Sequence, residues 1–238
     1  MNLSIITVVK NDKKNLETTI RSVLSQNYKK FEYIVFDGMS SDRISSVINK
    51  YKNHNIRYIR KKDKNYYDGL NQAIGKATGN YVGILNAGDV YCNKNILKIV
   101  MNQILRKKCD LLSANLKYHS PNNKILRIWK LDIVKLNKLE ALKIASPTLF
   151  IRKKIAKLHP YNTKYYISSD TDFNLRVASK KYYFVHLNKF IISMKIGGLS
   201  TKYSLFFFKM FQDLLILKNH FGFFFIFIYI YKIFLKIF

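Results

Sequence analysis

Tyr81-Val82-Gly83-Ile84-Leu85-Asn86-Ala87-Gly88-Asp89 carries a short apolar run into a small-residue turn that ends on a carboxylate. Such a run, bounded by turn residues, reads as a strand buried on both faces. Three earlier segments have the same character: Leu3–Val9, Phe31–Phe36 and Ile56–Arg60. Between them lie helical patterns. Leu16, Ile20, Val23 and Leu24 form one apolar stripe, and Ile44–Tyr51 and Asp68–Ala77 form two more. This βαβαβαβ rhythm predicts an α/β fold with a mainly parallel sheet and helices on both faces. Downstream, Lys94–Arg106 reads as a helix, and Leu111–Lys117 with Ile125–Trp129 as a hairpin across Ser120–Asn123. Leu149–Arg152 and Tyr183–Leu187 read as strands flanking a helix over Thr171–Ser179.

The chain of 238 residues carries 42 Lys and Arg against 14 Asp and Glu, a formal charge of +28. Charge of that size repels itself unless an anionic partner is near, such as nucleic acid, a membrane surface or a polyphosphate. The lysines are spread along the chain with no basic stripe, so no nucleic-acid partner is expected. A non-enzymatic basic membrane- or nucleic-acid-binding protein is the alternative reading. The two cysteines form no CxxC, and the five histidines show no paired spacing, which argues against a zinc site and a disulfide framework. The chain opens directly on a strand-like run with no signal-like segment before it, so the cytoplasm is the expected compartment.

Seven of the scarce acids bunch at predicted strand ends or in the turns beside them: Asp37, Asp42, Asp63, Asp68, Asp89, Asp170 and Asp172. Open α/β sheets bind their ligands at that edge. Asp37, in Asp37-Gly38-Met39-Ser40-Ser41-Asp42, could accept the imide N–H of a pyrimidine such as uracil. Asp42 or Ser41 could equally cap the helix from Ile44. Asp68 and Asn71 stand three apart at a helix start and can face one cleft. Asp89, after a buried strand, suits a hard cation bridging a diphosphate.

Thr7-Val8-Val9-Lys10-Asn11, the Asp37–Asp42 turn, Tyr67-Asp68-Gly69-Leu70-Asn71-Gln72-Ala73-Ile74 with Ala77-Thr78-Gly79, and Leu85–Asp89 resemble successive motifs of the family 2 glycosyltransferases. The similarity is nearest to small bacterial enzymes that build surface polysaccharides. It runs over Asn2–Tyr91 and, more loosely, Ser146–Ser200. It implies the GT-A fold, a nucleotide-diphospho-sugar donor with UDP preferred, and Mn2+ or Mg2+. It also implies inverting transfer to a saccharide or a polyprenyl-diphosphate-linked acceptor. Under it, Thr7, Asn11, Asp37, Asp68 and Asn71 would surround the nucleotide and Asp89 the metal. Asn86, Gly197, Gly198 and Ser200 would form donor-diphosphate or acceptor loops. Ser168-Ser169-Asp170-Thr171-Asp172-Phe173 resembles the segment with the catalytic base, Asp170 in preference to Asp172. Two departures stand out: Gly88 and Ser146 occupy positions where relatives often carry an acid and a histidine. They motivate a further alternative, an inactive relative.

The composition changes after residue 200, so residues 1–200 read as the GT-A domain and 201–238 as a membrane-associating helical tail. Tyr203–Leu217 is aromatic and aliphatic, with a polar stripe of Lys202, Lys209, Asp213 and His220. Phe223–Tyr231 is uncharged and shorter than the roughly 20 residues of a spanning helix. The tail is therefore expected at the interface of the inner membrane face, with Lys232 and Lys236 reaching anionic head groups. The competing reading is a buried helix pair or a dimer contact.

Overall fold

The computed structural model describes residues 2–120, 124–195 and 203–237. In chain order the elements are β1 (Leu3–Val9), α1 (Lys13–Leu24), β2 (Phe31–Asp37), α2 (Ile44–Lys50), β3 (Ile56–Arg60), α3 (Tyr66–Lys76), β4 (Tyr81–Ile84) and β5 (Val90–Tyr91). They continue with α4 (Ile96–Lys107), β6 (Leu111–His119), β7 (Ile125–Trp129), α5 (Lys138–Ala141), β8 (Phe150–Arg152), α6 (Lys153–Leu158) and α7 (Ser169–Ala178). The last are β9 (Phe184–Lys195), α8 (Phe206–Phe221) and α9 (Phe225–Ile237).

One sheet runs β3-β2-β1-β4-β8-β6-β9-β5, with β7 added beside β6. Its first four strands are parallel. The remainder is mixed: β8 is antiparallel to both β4 and β6, while β6 and β9 are parallel. The alternation along β1 builds both layers of core. Leu3, Ile5 and Val9 pack with Leu16, Ile20 and Val23 of α1 and Val100 of α4. Ile6 and Val8 point the other way, onto Leu70, Ala73 and Ile74 of α3 and Phe173 of α7. A strand buried on both faces needs this continuous apolar run, so the run was readable without the structure.

β9 is longer than its sequence suggested. Asn188 and Lys189 interrupt the apolar pattern, but the chain absorbs them where the β6–β9 register shifts between Ala114 and Leu116. The strand then resumes and pairs with β5. This extension carries Lys195 to the strand-four turn, where its N–H donates to Asp89 Oδ1 over 3.2 Å.

The tail packs differently from expectation. Gly222, at φ +58°, ends α8, and α9 returns along it, so Phe206–Leu235 is broken rather than one long apolar helix. The pair rests on α5 and α7 through Ile216 and Leu217 against Ala141 and Leu175. Gln212, Asp213 and Lys232 face inward, and most of the phenylalanines face outward, with Phe221 and Phe225 packed inward. Lys232 is a correction: it is 5% exposed and pairs with Asp213 at 3.0 Å, so it cannot extend to head groups. The side chain of Lys236, and all of Lys202, lie outside the described residues.

Candidate active site

The carboxyl ends of β1 and β4, the chain after β3, and the starts of α3 and α7 enclose one cleft of about 740 Å³. Asp63, Asp89 and Asp170 line it, with Lys10, Lys64 and Lys195 among the bases. Asn11, Asn86, Tyr66, Tyr67 and Ser146 complete its polar wall.

Asp89 is nearly sealed, at 3% exposure. Asn86 Nδ2 donates to its Oδ2 over 3.2 Å, and Tyr66 in turn donates to Asn86 Oδ1 over 2.6 Å. These neutral donors offset only part of the loss of water, and burial pushes its carboxyl up to about 7. Among the described residues no group of three His, Cys, Asp or Glu side chains stands within reach of a shared metal. A single carboxylate still fits Mn2+ or Mg2+, because such ions take one or two protein carboxylates and fill the rest with phosphate oxygens and water. Gly88 contributes no side chain to such a site.

Asp170 sits in the first turn of α7. Its Oδ1 accepts from Thr171 N over 2.8 Å and lies 3.3 Å from the Tyr67 hydroxyl, while Ser146 Oγ is 3.4 Å from Oδ2. Tyr67 also donates to the Ile167 carbonyl over 2.6 Å, which joins α3 to the entry of α7. Tyr161 stacks between Tyr67 and Phe173 at centroid distances of 5.6 and 4.4 Å and stiffens that wall. Asp172 points away from the cleft. Burial raises its acidity threshold, but hydrogen bonds from His220 and Arg176 outweigh this and hold its carboxyl below the ordinary value.

Several expected nucleotide contacts are engaged elsewhere. Thr7 is fully buried; its Oγ1 donates to the Leu85 carbonyl over 2.7 Å and meets the Tyr33 hydroxyl at 3.0 Å. It ties β1 to β2 and β4 and does not reach the cleft. Asn71 exchanges both its amide groups with the Tyr161 backbone, at 2.8 and 2.9 Å, and so holds that loop in place. Asp68 turns back on its own helix start, accepting from Lys64 N and Gln72 Nε2, while Asn65 caps α3. Asp37 is 1% exposed; Ser40 N and the Tyr58 hydroxyl occupy its two oxygens. Asp42 caps α1, not α2, by accepting from Lys13 N over 2.8 Å. Asn11, at φ +53°, lines the cleft and accepts from Ser41 N. Gly197, Gly198 and Ser200 lie outside the described residues.

Asp63 is the acid that sequence spacing undervalued. A Cβ at Gly38 would collide with its carboxylate, and one at Gly69 would stand 3.1 Å from it. The two Asp-Gly pairs therefore make room for a third acid. Burial raises the Asp63 pKa against the pull of Lys10, with Asp68 and Asp37 adding repulsion. Lys195 was missed because the strand carrying it was read as ending eight residues early.

Comparison with known proteins gives the fold and the family. The fold is of the GT-A type: S. aureus TarS 1-349 in complex with UDP superimposes with a TM-score of 0.73 at 20% identity, over 92% of this chain and 66% of that one. A mannosyltransferase from Pyrobaculum calidifontis, in complex with GDP-Man and Mn2+, superimposes at 0.68 and 13% identity, over 91% and 62%. An uncharacterized glycosyltransferase of Methanocaldococcus jannaschii is 27% identical over 192 residues, 77% of this chain and 66% of that protein. A PGL/p-HBAD biosynthesis glycosyltransferase of Mycobacterium bovis is 26% identical over 193 residues, 78% and 74% of the two. The chain thus spans just under two thirds of the M. jannaschii protein and of TarS 1-349, and 40% of the longer TarS chain. Residues 4–238 match the model of glycosyl transferase family 2, and the chain belongs to that family.

Proposed function

We propose that this glycosyltransferase moves a hexosyl or N-acetylhexosaminyl group from a nucleotide-diphospho-sugar, a UDP-sugar by preference, with inversion at the anomeric carbon. The acceptor is a saccharide or a polyprenyl-diphosphate-linked saccharide of cell-surface polysaccharide synthesis. The observation that carries the reading is the meeting of Asp63, Asp89 and Asp170 with three lysines in one cleft at the strand ends.

Asp170 accepts the acceptor hydroxyl's proton as that oxygen attacks the anomeric carbon. The bond from that carbon to the phosphate oxygen breaks, and its electron pair leaves with the diphosphate. Lys10, Lys64 and Lys195 supply positive charge to the departing group. Asp89 would hold the Mn2+ or Mg2+, which when bound neutralises diphosphate charge. Asp63, which lines the same cleft as Asn11, offers a carboxylate for a uracil N–H; Asp37 and Asp68 shape that end from behind.

The tail supports a site of action on an anionic membrane, peripheral on its cytoplasmic face. Phe207, Phe223 and Phe227 are among a dozen large apolar side chains that α8, α9 and the turn between them leave exposed. Helices of 16 and 13 residues span about 24 and 20 Å, less than the roughly 30 Å hydrocarbon core, so the pair lies along the interface.

Release of nucleoside diphosphate from a panel of UDP-, GDP- and dTDP-sugars, with and without Mn2+, tests the reading. A UDP-sugar should turn over best, and Asp170→Asn should reduce turnover about 10³-fold with UDP affinity within about twofold. No release from any donor sinks the proposal.

A further inference from the structure

The inward polar stripe of the tail converges on one turn of chain. Gln212 Oε1 accepts from the backbone N–H groups of Ile167 and Ser168, over 3.0 and 3.3 Å, just before α7 begins. Lys232 Nζ donates to Thr171 Oγ1 over 3.0 Å and is held by Asp213, which also pairs with Lys209 at 3.3 Å. His220 Nε2 meets Asp172 Oδ1 at 3.0 Å. Asp170 therefore lies between residues gripped by the tail on both sides. Gln212, Asp213 and Lys232 are all buried.

A membrane anchor needs only its apolar face. Burying an amide and a lysine–aspartate pair beneath it adds little stability over apolar residues of the same size. What such groups do supply is register: directional bonds admit one placement of the helix pair on α7, where greasy packing admits many.

We propose that the α8–α9 pair is the positioning element for Asp170, with Gln212, Lys232 and His220 fixing the turn that carries it. The inference rests on Asp170 as the base. The tail is then part of the catalytic architecture as well as the membrane face, and these residues act through Asp170 without touching the substrate.

The test uses the full chain and the donor that turns over best. Thr171→Val removes the hydroxyl that Lys232 grips but keeps the Thr171 N–H that donates to Asp170. It should lower kcat three- to tenfold, with donor KM within twofold and Tm within about 2 °C of wild type. Lys232→Met should lower kcat at least tenfold at unchanged donor KM and unchanged binding to phosphatidylglycerol vesicles, and Lys232→Arg should recover part of the loss. Should Lys232→Met not fold, Thr171→Val decides alone. A folded Thr171→Val enzyme with kcat within 1.5-fold of wild type overturns the positioning role. If Asp170→Asn keeps full transfer, the assignment of the base falls instead, so the two failures are distinguishable.

Discussion

Asp89 and Asp213 are buried alike, each 3% exposed, yet their surroundings are opposite. Asp213 sits in the tail between two ammonium groups, Lys209 and Lys232. Asp89 sits at the cleft with a backbone N–H and an amide, and it has no ion pair among the described residues. A carboxylate buried with its countercharges is a fixed part of the architecture. One buried against dipoles alone, in the wall of a cleft, gains most when positive charge arrives with a ligand. The cleft and the tail thus differ: at the cleft a buried carboxylate stands without a countercharge among the described residues, and in the tail Asp213 holds two lysines.

The largest expected effect breaks the tail's balance. Asp213→Asn leaves two lysines facing a neutral amide, a loss of about 3–5 kcal/mol by the measure of broken buried pairs. Chemical denaturation would register this as a lower midpoint at constant slope, and the double variant Asp213→Leu/Lys232→Met should regain much of it. The counterpart at the cleft has the other sign. Because the Asp89 pKa stands at about 7 in the folded chain, above its unfolded value, the native state holds the extra proton. Stability therefore falls as pH rises from about 4 to about 7 and levels off above that. Asp89→Asn should remove this slope and raise Tm at pH 8 by about 2–4 °C, equivalent to about 1 kcal/mol. In the wild type, stabilisation by Mn2+ should grow as pH rises through 7, and in the variant it should vanish along with most turnover. A smaller effect probes the outer face of the tail. Phe223, 87% exposed, should contribute about 1.5 kcal/mol to seating on a bilayer. Phe223→Ser should weaken sedimentation with anionic vesicles about tenfold and leave Tm unchanged. A fall in Tm would mean that this ring packs against protein.

The parallel half of the sheet was legible because each strand is a continuous apolar run ending in a turn with an acid. Leu3–Val9 and Ile56–Arg60 match the observed bounds, and Phe31–Phe36 falls one residue short. Asp89, Asn86, Asn11 and Asp170 were singled out by position and do line the cleft. Thr7, Asn71 and Asp68 stand in the same motifs but face inward or backward. Motif spacing places a residue at a strand end or a helix start; which way its side chain turns depends on partners up to 90 residues distant, as with Asn71 and Tyr161. β9 illustrates the same gap, since a polar pair that looks like a strand end was accommodated by a shift of register.

By itself the sequence determined the α/β alternation, the edge of the sheet where acids gather, and an aromatic tail of unusual polarity. Apolar periodicity and turn chemistry are local, and those features need nothing more. Only the tertiary structure decided which acids face the cleft, that Asp63 lies among them, and that Gln212, His220 and Lys232 of the tail point at α7 while most of its phenylalanines point at solvent. The direction of an amphipathic helix is set by the partner it meets. Here that partner is the polar entry of α7, whose backbone N–H groups, hydroxyl and carboxylate need matching more than the phenylalanines need shelter.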